Sequence, residues 1–206
     1  MKTNQPTNKT RIILMGGSSH VGKSTLSRTL ATKLDWNYLA TDSLARHPGR
    51  PWIGANGRTV REHVVKHYRT LNTESLLIDV LLHYEANVMP QVKTLVCSYQ
   101  SNLSTKGIII EGSALWPKFT TDLIKEEVRG IWLTASDRLL QNRILSQSNF
   151  HHVSQNEKHP IEKFLDRTLL YNRRMREEVN RLGFDSINVE STTTIAELVN
   201  HCLKLI

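Results

Sequence analysis

One octapeptide constrains this chain more than any other feature: Gly17-Ser18-Ser19-His20-Val21-Gly22-Lys23-Ser24. It satisfies GxxxxGK[ST], and it lies where that pattern has structural meaning. The apolar run Ile12-Ile13-Leu14 precedes it, and Leu26, Leu30 and Leu34 recur at helical spacing after it. Glycines let the backbone curl around an anion with successive N–H groups aimed inward. The first turn of the following helix adds its positive dipole end at the same point. In such a loop Lys23 bridges the β- and γ-phosphates of a nucleoside triphosphate, and the Ser24 hydroxyl ligates Mg²⁺. The candidate nucleotide-binding residues are therefore Gly17, Ser18, Ser19, His20, Val21, Gly22, Lys23, Ser24 and Thr25.

The rest of the chain alternates short buried strands with helices. Strands are expected at Arg11–Met15, Asn37–Ala40, Ile108–Ile110, Ile131–Leu133 and Asp185–Val189. Helical patterns fall over 23–34, 59–71, 136–147 and from the end of a polar stretch at 148–160 to Leu182. A long apolar pattern over 74–100 is expected to kink at Pro90. Thr192–Thr194 should cap a last helix. Residues 1–10 read as a tail and 11–206 as one domain. This alternation makes a parallel-sheet α/β domain.

Composition narrows the class. With 206 residues, 39% of them hydrophobic, the chain can bury a core of its own. Cys97 and Cys202 stand far apart in no CxxC or CxxH spacing, which argues against a disulfide scaffold and a structural zinc site. No apolar run approaches the length of a membrane span and the first residues hold no apolar signal core, so a reducing cytoplasm is the expected setting. The net charge of +8 admits either nucleic acid or a small polyanionic ligand. Its distribution favours the second. The excess is +5 over residues 1–35, +4 over 41–72 and +3 over 136–182, while the remainder is acidic.

Missing motifs narrow it further. After the loop there is no NKxD base reader of a GTPase and no apolar strand ending in Asp-Glu as in a motor; the third strand ends Glu111-Gly112. The loop, Asp42 after the second strand, Glu111-Gly112 after the third and an Arg-rich helix after a polar stretch together resemble the shikimate/nucleoside/adenylate-kinase-like P-loop phosphotransferases. GGSSHVGKS is also similar to 2-phosphoglycerate-kinase-like and chloramphenicol-phosphotransferase-like proteins. The resemblance implies a P-loop three-layer sandwich with sheet order 2-3-1-4-5, helices on both faces, a mobile lid and MgATP as donor. It does not carry over an acceptor, and ATP against GTP, or monomer against homodimer, stay open.

The supporting residues each have a chemical and a plain structural reading. Asp42, at a strand's C-terminal rim, is suited to take the proton of an attacking hydroxyl, or else to cap a helical turn. Glu111, on the next rim, suits Mg²⁺ through water, the base role if Asp42 does not fill it, or an ion pair. Arg46, Arg50 and Arg58 with Trp52 mark the loop after Asp42 as an acceptor pocket or as solvated charge. Arg138, Arg143, Arg167, Arg173, Arg174 and Arg176 supply lid cations, of which Arg138, Arg143 and Arg174 are the candidate catalytic ones. His151, His152 and His159 fit no tight metal spacing. The expected function is transfer of the γ-phosphate of ATP to a small hydroxylated, anionic or nucleoside acceptor, with a nucleic-acid-binding or regulatory NTPase as the alternative.

Overall fold

The computed structural model describes residues 10–45, 47–53, 60–102 and 104–206. Residues 1–9 of the tail, Arg46 and Arg58 lie outside them. Five strands, β1 (Ile12–Gly17), β2 (Asn37–Ala40), β3 (Ile108–Glu111), β4 (Val128–Ala135) and β5 (Asp185–Val189), form one parallel sheet in the order β2-β3-β1-β4-β5. β1 is buried along its whole length, as a central strand covered on both faces must be. Successive residues serve opposite faces. Ile13, Met15 and Ile109 pack with Leu26 and Leu30 of α1 (Lys23–Leu34) and Leu198 of α8 (Ile195–Leu205). Ile12, Leu14 and Ile110 pack on the other side with Val92 and Val96 of α4 (Met89–Ser101).

The order has a consequence for function. From β1 the chain crosses toward β2, whereas from β3 it crosses to β4 on the other side of β1. The crevice at the carboxyl ends of β1 and β3 is the switch point where ligands enter open α/β sheets. Three further helices pack together, α2 (Glu62–Thr70) and α3 (Thr73–His83) against the 28-residue α7 (Gln155–Leu182), and α7 reaches the crevice through Phe164 and Arg167. With α6 (Asp137–Gln147) they share a second core of Tyr68, Leu76, Ile144 and Phe164. The remaining helix is the single turn α5 (Pro117–Thr120).

Several boundaries depart from the sequence reading, each for a physical reason. The 74–100 pattern divides just before Pro90, into α3 and α4. Pro90 sits in the first turn of α4, where its missing N–H costs nothing, and the backbone widens into a π-helical turn at Tyr84–Val88 just before it. The polar stretch 148–160 shrinks, because a 3₁₀ turn occupies Phe150–His152 and α7 begins at Gln155 behind a Ser154/Glu157 capping box. Pro160 lies inside α7 and cannot donate to the Asn156 carbonyl. Arg69 of α2 donates to that oxygen instead, at 3.1 Å. The helix therefore survives its proline through a tertiary contact.

Close packing at the rim explains one glycine. A Cβ on Gly112 would collide with the Thr41 side chain. Gly112→Ala is expected to cost about 1–3 kcal/mol by overpacking. At roughly 2–4 °C per kcal/mol for a chain this size, the melting temperature should fall by several degrees. An unchanged melting curve would contradict the packing.

Candidate active site

β1 delivers the chain into the loop, and Gly22 turns it into α1 with a left-handed φ of 108° that favours glycine. No side chain caps α1, and its first turn holds no acid. The first N–H groups are thus left for an anion, at the positive end of the helix dipole. Arg143 of α6 fixes the loop from outside, donating to the carbonyls of His20 at 2.9 Å and Val21 at 3.0 Å. His20 turns away from the loop, bonded to Gln147 at 2.6 Å and packed against Trp52 and Phe164. Burial, followed by the positive charge of Arg50, lowers its pKa to about 4, so it is neutral at pH 7.

Lys23 is buried, with its ammonium donating to the Ser18 carbonyl at 2.8 Å and the Ser113 hydroxyl at 3.3 Å. Burial pushes its pKa down, and the carboxylates of Glu111 and Asp42 oppose that shift. The Ser24 hydroxyl donates to Glu111 Oε1 at 2.9 Å, and the Tyr38 hydroxyl donates to the same oxygen at 2.8 Å. Ser24, in the first turn of α1, and Glu111, at the end of β3, thereby present adjacent oxygens, the donor set that a hard cation prefers. Asp42 is the middle residue of a 3₁₀ turn, Thr41–Ser43, directly after β2, and is not the residue that caps it.

Lys23, Ser24, Asp42, Glu111, Ser113 and Arg143 border one cleft of about 880 Å³. Its far side carries two arginines. Arg50 is desolvated, which lowers its pKa, and the charge of Asp42 offsets part of that. Arg167 of α7 is buried, with its guanidinium 4.8 Å from the Phe164 ring centre and 5.5 Å from that of Tyr68. Held over two rings and paired with the Tyr68 hydroxyl, the guanidinium is fixed in direction at the cleft wall.

No family model matches the sequence, and no curated protein matches it either. Solved structures do match. A gluconokinase from Sinorhizobium meliloti 1021 is 16% identical, with 96% of this chain aligned to 91% of that one at a TM-score of 0.53. A shikimate kinase from Aquifex aeolicus is 13% identical, with 94% of each chain aligned and a TM-score of 0.53. A shikimate kinase from Bacteroides thetaiotaomicron is also 13% identical, over 94% of this chain and 96% of that one, at a TM-score of 0.50. The chain has the P-loop small-molecule kinase fold.

Within the P-loop kinase fold, the expected site residues divide into two groups. Ser19, His20, Gly22, Lys23, Ser24 and Thr25 line the cleft, as do Asp42, Arg50, Glu111 and Arg143. Gly17, Ser18 and Val21 build the loop behind them, and Arg46 lies outside the described residues. Two arginines depart from expectation. Arg174 is paired with Glu74 of α3 on the surface. Arg138 lines a separate groove of about 500 Å³ with Asn188, Glu190 and Ser191, and Asn142 borders both cavities. Trp116 is core, packed on Tyr171.

Other contributors had weak sequence signals. Ser113, which also donates to the Gly17 carbonyl at 3.0 Å, is simply the residue after Glu111-Gly112. His47 lines the cleft near α2 and α3, and burial lowers its pKa and that of His67. Nothing local in the sequence ties those two histidines together.

Proposed function

We propose that this chain is a kinase that transfers the γ-phosphate of MgATP to a small, hydroxylated and anionic acceptor. The carrying observation is the convergence, in one cleft, of an uncapped helix start, Lys23, the Ser24–Glu111 pair, Asp42 and the arginines 50 and 167. In this reading the loop N–H groups and Lys23 grip the β- and γ-phosphates. Ser24 and, through water, Glu111 hold the Mg²⁺, which when bound neutralises charge on those oxygens. The base extends through the Asn142 border into the groove of Arg138 and Asn188. Asp42 takes the acceptor's hydroxyl proton as the oxygen attacks phosphorus in line, and the leaving oxygen stays on ADP.

Arg50 and Arg167 select the acceptor. Two desolvated guanidiniums facing a cleft bind a carboxylate or phosphate well and discriminate against a neutral nucleoside. The shared fold of the neighbouring kinases supports phosphoryl transfer and leaves the acceptor to these residues. Arg143, which lines the same cleft, also braces the loop through the His20 and Val21 carbonyls.

Thermal shift tests the reading directly. With Mg²⁺ and a non-hydrolysable ATP analogue present, an anionic hydroxylated metabolite at about 100 times its Kd should add about 2.7 kcal/mol. That corresponds to a rise of roughly 5–10 °C. Stabilisation by nucleosides alone would overturn the acceptor class. Stabilisation by nucleic acid alone would overturn the kinase.

A further inference from the structure

Where the loop 47–50 meets α2 and α3, three metal-ligating side chains converge. His47 Nε2 lies 3.0 Å from Asp79 Oδ2, and His67 Nε2 lies 3.8 Å from the same oxygen. All three ligand atoms fall within 4.8 Å of one another, the one such group among the described residues. The imidazoles are largely withdrawn from water, with side chains 10% and 13% exposed, whereas Asp79 is 51% exposed. The cluster is thus closed on its nitrogen side and open to solvent on its oxygen side.

The hydrogen-bond balance at His47 does not close for a neutral ring. Its Nδ1 faces the Pro48 carbonyl at 3.0 Å and its Nε2 faces the Asp79 carboxylate. Both neighbours are acceptors, and a neutral imidazole has one N–H. If Nδ1–H donates to the carbonyl, the Nε2 lone pair meets an oxygen lone pair. A carbonyl-oriented ring with its other nitrogen on metal is the usual arrangement of a ligating histidine. His67 adds an independent sign, because its Nε2 is buried with no hydrogen-bond partner. An imidazolium at His47 would satisfy the first residue and leave the second unexplained. The Nε2 of His83 is also buried and unpartnered, on a ring 5.1 Å from that of His47.

We propose that His47, His67 and Asp79 form a transition-metal site, suited to Zn²⁺, that clamps the 47–50 loop to α2 and α3. Two imidazoles and one carboxylate are a zinc-type set with a fourth position for water or His83. Arg167 repels any cation here, so coordinate bonds to nitrogen, rather than charge alone, must hold the ion. That selects against Mg²⁺, which belongs with the oxygen pair at Ser24. The expectation of no structural zinc weighed cysteine spacing, and this set uses no cysteine. Because Arg50 rides on the clamped loop, occupancy would set the shape of the cleft wall. The site stands on its own geometry whether or not the chain is a kinase.

The test uses the untagged full chain, stripped by a chelator and titrated with Co²⁺ in excess Mg²⁺. One Co²⁺ per chain should bind with a visible ligand-field spectrum, and Zn²⁺ should displace it and raise the melting temperature. His67→Gln and Asp79→Asn should each weaken Co²⁺ by more than the roughly 10–100-fold typical of losing an outer-shell partner. Each should also abolish the Zn²⁺-dependent thermal gain. A His151→Gln, His152→Gln double variant should bind as the parent does. Absence of a Co²⁺ spectrum in the parent would leave a plain imidazolium–carboxylate pair and overturn the proposal. So would Co²⁺ binding that survives both His67→Gln and Asp79→Asn, or that is lost with the His151 and His152 changes.

Discussion

Lys23→Ala is expected to reduce phosphoryl transfer by on the order of 10²–10³ or more while leaving the melting temperature nearly unchanged. The two halves of that expectation have one cause. A buried ammonium strengthens any interaction with phosphate, because little water screens it. The same burial makes the charge costly to the folded protein before any phosphate arrives, which is why its pKa falls despite Glu111 and Asp42 nearby. One of its partners, the Ser113 hydroxyl, lines the open cleft as Lys23 itself does, so water can enter the space the ammonium leaves. Removing Lys23 therefore takes away transition-state charge stabilisation without opening a sealed cavity. Steady-state rates at saturating ATP, with a melting curve on the same sample, check both halves. Transfer retained within a few-fold would refute the assignment of the loop.

That contrast marks what a sequence can convey about this site. The β1–loop–α1 unit was legible because everything that defines it is local: an apolar run, glycines at fixed offsets, then leucines at helical spacing. Sheet order followed from resemblance, and the rims bearing Asp42 and Glu111 followed from where apolar runs stop. The arginines were not legible in the same way. Arg167 and Arg174 are seven residues apart on one helix, and spacing alone treats them alike. Which of them reaches the cleft depends on what α7 crosses. Tyr68 and Phe164 receive the first, and Glu74 of α3 captures the second. Pro160 lies inside α7, and the Asn156 carbonyl it cannot serve accepts from Arg69, 87 residues away along the chain, a partner no local pattern announces. His47, His67 and Asp79 likewise come from a loop and two helices and share no spacing.

The division of labour between the two rim carboxylates is open to a sharp pair of measurements. Asp42→Asn should lower kcat by about 10²–10⁴, the usual contribution of a positioned base, with the Mg²⁺ requirement unchanged. An amide cannot take the acceptor's proton, but it keeps the shape of the cleft wall. Glu111→Gln should behave differently. Its carboxylate accepts from both Ser24 and Tyr38, so it orients the hydroxyl proposed to ligate the cation. Gln retains an acceptor oxygen for those donors and loses the charge that attracts Mg²⁺. The half-saturating Mg²⁺ concentration should therefore rise by about 10–100-fold, the usual cost of losing an outer-shell metal partner. The rate should largely recover at high Mg²⁺. The two carboxylates have different neighbours: the charge of Asp42 acts on both Arg50 and Lys23, whereas Glu111 accepts from Ser24 at the helix start. If Glu111→Gln lost the chemical step irrecoverably and Asp42→Asn merely shifted the Mg²⁺ dependence, the two assignments would have to be exchanged, and the acceptor hydroxyl would belong on the β3 rim instead of the β2 rim.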